Sequence, residues 1–359
     1  MKMLMLSTTE PDDYSSGGKQ RSNHMRDALL RIADVDTIAF TGEGPSWIRS
    51  EWDERRVVRV NVDPGAGRWE RFRHRLAARR LIARAMKANR YDFVVARYFG
   101  RAALVPPHAY RRLVVDADDL RQTDIDRSPI RHAFVAIRAA AIRLATRSMV
   151  AVWLVDPRDR VTIPNARVVM LPNTARRLAA DPPPRQGGRR ILMVGMYPYP
   201  PNEEGLLWFA RGVLPRLVAA FPDVEFHAVG QYYKQELNEL HSALKMRGFV
   251  DDLAAEYARA DVVVCPIASG SGTQIKAVEA LMAGRPTVIS DFSYQGFADV
   301  LVPDEHLLVA KGEEEWVSRV GDVLHDPDRF AAMAARGREA AERAYSVEAF
   351  AEKVVGTFR

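Results

Sequence analysis

The densest run of chemically useful residues is Ser269-Gly-Ser-Gly-Thr-Gln-Ile-Lys-Ala-Val-Glu279, set between the apolar stretches Asp261–Pro266 and Pro286–Ser290. Ser269, Gly270, Ser271 and Gly272 are small enough for the backbone to approach a ligand closely. A helix is expected over Gly272–Ala283. Its first amides, near Thr273, Gln274 and Ile275, have no partners within the helix, and with the helix dipole they make an anion site. Lys276 adds a full positive charge one turn in. Glu279 stands seven residues beyond Gly272, about 10 Å along the axis at 1.5 Å per residue. That spacing suits a diphosphate on the helix start and a ribose whose two vicinal hydroxyls donate to the carboxylate. The plainer alternative is a tight turn followed by an exposed i,i+3 ion pair, worth a few tenths of a kcal/mol.

A second group of candidates lies in the first half. Ser15-Ser-Gly-Gly-Lys-Gln-Arg-Ser-Asn-His24 follows the first apolar run. Gly17 and Gly18 let the backbone face a phosphate, and Lys19 and Arg21 supply charge for it; an ordinary turn with solvated charges is the alternative. His24 is a candidate catalytic group or a satisfied structural histidine. Val114-Val-Asp-Ala-Asp-Asp-Leu120 ends an apolar strand in three carboxylates. Asp116 and Asp118 are candidates for accepting an acceptor hydroxyl's proton or for binding its other hydroxyls, against capping or pairing with Arg121. Arg97 and Tyr98, at the end of the preceding strand, are weaker acceptor-binding candidates.

The elements that must hold these residues alternate short Val/Ile/Leu strands with amphipathic helices. Strands are expected at Lys2–Ser7, Asp36–Phe40, Val57–Val60, Phe93–Ala96, Leu113–Asp116, Val150–Leu154 and Val168–Leu171. Helices are expected at Gly18–Ile32, Arg68–Ala88 and Pro129–Arg147. The second half repeats the pattern, with strands at Arg190–Val194, Glu225–Val229, Asp261–Pro266, Pro286–Ser290 and Leu307–Val309. Its helices are expected at Gly205–Phe221, Tyr233–Leu244, Leu253–Ala260, Gly272–Ala283, Glu313–Leu324, Arg329–Tyr345 and Val347–Arg359. Continuous apolar strands alternating with helices imply parallel sheets covered on both faces. Asp181-Pro-Pro-Pro-Arg-Gln-Gly-Gly188 cannot continue a helix or a central strand. The expected organisation is therefore a domain over 1–178, a linker over 179–189, a second domain over 190–340, and a final helix within 341–359 packing back toward the first domain. Two such α/β units place ligands in a cleft at the carboxyl ends of their strands.

Composition narrows the function classes. The single cysteine, Cys265, excludes an intrachain disulfide and a cysteine metal cluster, and its apolar setting suggests a buried thiol. Residues 1–180 carry 33 Lys and Arg against 20 Asp and Glu, a net +13, whereas the remainder nets −7. The first half is thus expected to meet something anionic. Arg68–Lys87 holds eight basic residues and one acid, with Trp69, Phe72 and Leu76 on one helical face. It suits an anionic membrane surface or a solvated face over a small core. The arginines form no nucleic-acid recognition module, so no nucleic-acid partner is expected. The first apolar run is too short for a leader, and a cytoplasmic protein, peripheral at most, is expected.

Gly-x-Gly-Thr-Gln-x-Lys-x-x-Glu-Ala resembles the donor-binding region of family 4 (group 1) retaining glycosyltransferases, in the branch with Gly-x-Gly-Thr-Arg-x-Lys-x-x-Glu-Ala. Val194-Gly195 through Pro201-Asn-Glu-Glu-Gly-Leu-Leu-Trp-Phe209, Ala228-Val-Gly230, Gly248-Phe-Val-Asp-Asp-Leu253 and Leu171-Pro-Asn-Thr174 resemble further motifs of that branch. The resemblance implies a GT-B fold of two Rossmann-like domains with parallel sheets. It also implies sugar transfer from a nucleoside diphosphate sugar to a glycan or lipid-linked acceptor, with retention and with neither metal nor other cofactor. It adds Gly195, Asn202, Gly230, Phe249 and Val250 to the expected donor site. The chain departs from the family at Ser271, where the first acid of Glu-x7-Glu falls, and at Met196-Tyr-Pro-Tyr-Pro200, which lacks basic residues. The competing readings are a GT-B nucleotide-sugar epimerase and a non-catalytic nucleotide-sugar-binding protein.

Overall fold

The computed structural model describes residues 1–14, 16–42, 45–49, 51–63, 65–118, 140–141, 144–175, 188–270 and 273–359. The chain divides into two compact units, one comprising Met1–Pro172 with Phe350–Arg359 and the other Asn173–Ala349. Most of the expected linker and of the expected helix Pro129–Arg147 lies outside the described residues.

The first unit is built on β1 (Lys2–Ser7), β2 (Asp34–Thr41), β3 (Trp47–Ile48), β4 (Val57–Asn61), β5 (Phe93–Arg97), β6 (Leu113–Ala117), β7 (Ala151–Leu154) and β8 (Val168–Met170). They form one sheet in the order β3-β4-β2-β1-β5-β6-β7-β8. Only the short edge strand β3 runs antiparallel to its neighbour. Met3 to Leu6 of β1 have no exposed surface because both faces of the sheet are covered, which is why the strand reads as an unbroken apolar run. On one face, Ala78, Ile82 and Ala85 of the Arg68–Ala88 helix pack with Phe40, Val60, Phe99 and Ala102. On the other, Met25 and Leu29 of the Gly17–Leu30 helix pack with Phe350, Ala351 and Val354 from the last helix, Val347–Gly356. The Trp153 indole donates to the Thr357 hydroxyl at 2.9 Å, fixing that helix end to the sheet.

The second unit carries β9 (Arg190–Val194), β10 (Glu225–Val229), β11 (Leu244–Gly248), β12 (Val262–Cys265), β13 (Thr287–Ser290) and β14 (Leu308–Ala310). All pair in parallel, in the order β11-β10-β9-β12-β13-β14. Chain direction across the sheet reverses between β9 and β12, the kind of switch point where open α/β sheets bind ligands. Two expected helices differ. Tyr233–Leu244 has only a 3-10 turn at Gln235–Glu239, and Leu244 instead opens the edge strand β11. Lys245 and Arg247 face solvent there, which protects the edge from further pairing. The helix expected from Gly205 begins at Pro200 and widens into a π turn over Phe209–Val213. Pro215 lies just beyond, and with no amide to donate it cannot continue a regular ladder.

Candidate functional site

In the second unit the expected donor residues converge at the switch point. The backbone leaves β9 through Gly195 and β10 through Gly230, whose amides donate to Val229 and Gly248 carbonyls at 2.9 and 2.7 Å. Gly230 has φ +130°, and a Cβ there would stand 1.9 Å from the Gly195 carbonyl oxygen, so no other residue fits. Asn202, buried on the Pro200–Trp208 helix, donates through Nδ2 to the Met196 carbonyl at 2.8 Å and closes the loop after β9. Gly205 on the same helix lets it approach the end of β12, since a Cβ would meet the Pro266 carbonyl at 2.5 Å.

The loop after β12 leads to the helix Ile275–Met282, which starts three residues later than expected, with Gln274 at its N-cap. Ser271 and Gly272 lie outside the described residues. Gly270 takes φ +101°, and the Ser269 hydroxyl donates to Glu204 at 3.3 Å. The Thr273 carbonyl accepts from Asn173 Nδ2 at 3.1 Å, while its buried hydroxyl has no partner among the described residues. The Ile275 and Lys276 amides precede the first helical bond, which Ala277 makes to Gln274 at 3.0 Å. Lys276 Nζ donates to the side-chain carbonyls of Asn202 and, at 3.2 Å, Gln274. Both partners are neutral, so they orient the ammonium without cancelling its charge.

Glu279 lies one turn further along, half-buried, and accepts from the Tyr257 hydroxyl at 3.3 Å. Burial pushes the Lys276 ammonium down to about 8 and the Glu279 carboxyl up to about 7. In both cases the attraction between the two groups resists the shift, and burial prevails. Beneath them Cys265 is buried, its thiol pushed up to about 12 by burial. Tyr257 was not evident from the sequence, because nothing in the local pattern of Leu253–Arg259 distinguishes it from a core aromatic. Val250 packs against the cluster around Tyr257, whereas Phe249 is 82% exposed.

In the first unit the candidates also gather at a switch point, between β1 and β5. Asp116, with no exposed surface, accepts from Arg21 at 2.5 and 3.1 Å and from Arg97 Nη1. Arg97 Nη2 donates to the Tyr98 hydroxyl at 2.9 Å and to Asp118 at 3.0 Å. Burial alone would raise the Asp116 carboxyl, but the two guanidinium groups override it and hold it below the usual range. This corrects the expectation of Asp116 as a proton acceptor: a fully enclosed carboxylate bound to two arginines cannot reach a hydroxyl, and it serves to anchor them. Arg21, expected at a phosphate, is likewise committed to Asp116 and the Pro172 carbonyl. Asp118, at the rim of the network, keeps 17% of its side chain exposed.

Tyr98 takes φ +62°, a conformation rare for bulky residues, at the junction of β5 and the helix Tyr98–Ala102. Gly18 is next to it: a Cβ would stand 4.0 Å from Arg97 Nη2 and from the Tyr98 hydroxyl. Gly17 opens the Gly17–Leu30 helix, and Lys19 pairs with Asp13 at 2.7 Å. His24 is buried against the Tyr14 ring, with centroids 5.4 Å apart. The Arg68–Ala88 helix turns Trp69, Phe72 and Leu76 outward, 80%, 52% and 38% exposed, with Trp69 and Phe72 in edge contact. Among the described residues, no helix is long and apolar enough to cross a membrane.

Two sheets of parallel strands with a ligand-type switch point in each define a GT-B fold, and solved structures agree. Sucrose-phosphate synthase from Thermosynechococcus elongatus superposes with a TM-score of 0.74 at 16% identity, covering 100% of this chain and 98% of that one. Anabaena HepE, solved with UDP and glucose, gives 0.66 at 15% identity, covering 100% and 99%. Residues 188–326 match the model of the family described as Glycosyl transferases group 1. A phosphatidyl-myo-inositol mannosyltransferase of Mycolicibacterium smegmatis is 32% identical over 211 residues, 56% of this chain and 53% of the relative. The chain thus matches about half the length of that curated relative.

Proposed function

We propose that the protein is a glycosyltransferase that moves a sugar from a nucleoside diphosphate sugar to a glycan or lipid-linked acceptor, with retention. The observation that carries this reading is the placement of Lys276 and Glu279 one turn apart on a helix that starts at the switch point of the second sheet. In this proposal the donor diphosphate lies against the opening amides of that helix and the Lys276 ammonium, and Glu279 accepts from the ribose hydroxyls. Negative charge grows on the diphosphate as the glycosidic bond breaks. Fixed amides and Lys276 meet it where it develops, which supplies the work that a divalent metal does in other transferases. Asp118, the partly exposed carboxylate at the rim of the first unit's network, is the group proposed to bind an acceptor hydroxyl.

The outward Trp69, Phe72 and Leu76 on a strongly basic helix support peripheral docking on an anionic leaflet, where aromatic and aliphatic side chains insert and arginines meet phosphates. Thermal melting of the full chain against UDP-, GDP-, dTDP- and ADP-sugars tests the donor assignment, since a ligand that binds the native state raises Tm by mass action. One nucleotide class is expected to raise it, and the rise to disappear in Lys276→Ala. A panel with no effect, or an undiminished rise in that variant, overturns the assignment.

A further inference from the structure

Among the described residues, the first unit neutralises two buried arginines and leaves a third, half-buried, without a counter-ion. Arg21 and Arg97 are matched by Asp116 and Asp118. Arg101, on the Tyr98–Ala102 helix, has its guanidinium 4.4 Å from the centroid of the Phe40 ring. Its Nε is buried and has no hydrogen-bond partner, and no carboxylate among the described residues pairs with it. An aromatic face recovers part of the lost hydration of a cation but cannot neutralise it.

The neighbourhood adds positive charge. Phe40 is the penultimate residue of β2 and Arg101 lies in the helix that follows β5, so both sit at the carboxyl ends of parallel strands. The Arg68–Ala88 helix comes after β4 and so starts at that same end. Arg75, seven residues before Ile82, shares the stripe on which Ile82 packs against the sheet, about 20° away at 3.6 residues per turn. Being two turns nearer the helix start, it remains exposed. Burial and the charge of Arg75 both press the Arg101 guanidinium toward losing its proton. Two arginines on neighbouring elements at the carboxyl edge of a sheet, neither in an ion pair among the described residues and one acting on the charge of the other, offer a place for a multiply accepting anion.

We propose that Arg101 and Arg75 form a subsite for a phosphoryl group carried by the acceptor, at the carboxyl edge of the first sheet. The inference rests on the glycosyl-transfer reading for the word acceptor alone; the anion site itself stands on the first unit. A phosphoryl group offers oxygens to both guanidinium groups at once, whereas a neutral sugar hydroxyl would leave both charges uncompensated. The group belongs either to a phospholipid headgroup or to a soluble phosphorylated acceptor.

The test is thermal melting of the full chain in phosphate-free buffer, with inorganic phosphate, with monomeric dihexanoyl phosphatidylglycerol, and with sodium chloride at matched ionic strength. Lys276→Ala serves as the background, so that phosphate at the donor site does not contribute. Phosphate or the short-chain lipid is expected to raise Tm well beyond the salt control, and Arg101→Gln to weaken that effect at least tenfold in apparent affinity. Arg75→Gln should weaken it less, and Arg101→Lys should restore part of it. In phosphate-free buffer Arg101→Gln is expected to melt at or above its parent, since a neutral amide replaces an uncompensated cation. A response to the lipid alone assigns a headgroup, and a response to inorganic phosphate assigns a soluble acceptor. An undiminished response in Arg101→Gln overturns the subsite, as does a large loss of stability in phosphate-free buffer, which would make the guanidinium structural. Nucleotide-sugar melting of the unmodified chain is read alongside. Donor stabilisation without an Arg101-dependent anion effect removes this inference and spares the transferase reading, and the reverse result does the opposite.

Discussion

The charge clusters at the two switch points are built on opposite principles. In the first unit Asp116 is sealed between Arg21 and Arg97, every close partner is of opposite sign, and its carboxyl is held below the ordinary range. In the second unit Lys276 is held by neutral amide oxygens, Glu279 by a tyrosine hydroxyl, and burial drives both toward neutrality. The first arrangement is complete without a ligand and stabilises the fold. The second leaves its charges poorly served, in keeping with the donor site proposed there. A buried ion network and a binding site can therefore look alike as residue types and differ in whether their electrostatics already close.

The sharpest way to break this contrast is at Asp116. Asp116→Ala removes the carboxylate that two buried guanidinium groups share and should cost about 3–5 kcal/mol, read as a lowered midpoint in chemical denaturation. A cost near zero would mean that the network is not structural. Lys276→Ala is expected to do the reverse, keeping or raising Tm while raising the transfer barrier by about 3–4 kcal/mol, the size typical of one lost donor to a developing oxyanion. Single-turnover rates with the responsive donor would check it.

The pH behaviour sharpens the comparison further. Glu279 is raised in the folded state from its ordinary 4.5 to about 7, so folding takes up a proton and stability falls as pH climbs through that window. Lys276 is lowered from 10.5 to about 8, so stability recovers as pH rises from about 8 toward 10.5. Glu279→Gln should then melt higher than the parent at pH 8 and equal to it near pH 5, while binding donor more weakly at both. Donor affinity in the parent should peak between about 7 and 8, where carboxylate and ammonium coexist. A flat profile from pH 6 to 9 would remove the pair from the donor site. The smallest effect is expected from Trp69→Ala, which should reduce sedimentation with phosphatidylglycerol vesicles by about tenfold at most, with Tm unchanged because the ring faces solvent.

Much of this molecule can be read without coordinates. β1, β9 and β10 span the expected residues, since a strand covered on both faces is mainly apolar between its ends, with His227 the buried exception in β10. The motif Ala228-Val-Gly230 puts Gly230 among the expected donor residues, and the structure adds a steric reason for glycine there, since a Cβ would stand 1.9 Å from the Gly195 carbonyl oxygen. The segment Tyr233–Leu244 reads as a helix because Leu237, Leu240 and Leu244 recur at helical spacing, yet it forms only a 3-10 turn at Gln235–Glu239. Leu244 belongs to an edge strand whose alternation, buried at Leu244 and exposed at Lys245 and Arg247, is too short to show a period of its own.

Residue types and their spacing determined which side chains bring chemistry: small residues before a helix start, a lysine and a glutamate one turn apart, and acids and arginines at strand ends. What they could not determine is the sign of each local balance. Asp116 and Glu279 are both carboxylates near a cation, and only their neighbours in space separate them. Two guanidinium groups from distant strands and helices outweigh burial at Asp116, whereas at Glu279 one ammonium and one tyrosine do not. Desolvation depends on everything packed around a charge, and that is set by tertiary structure.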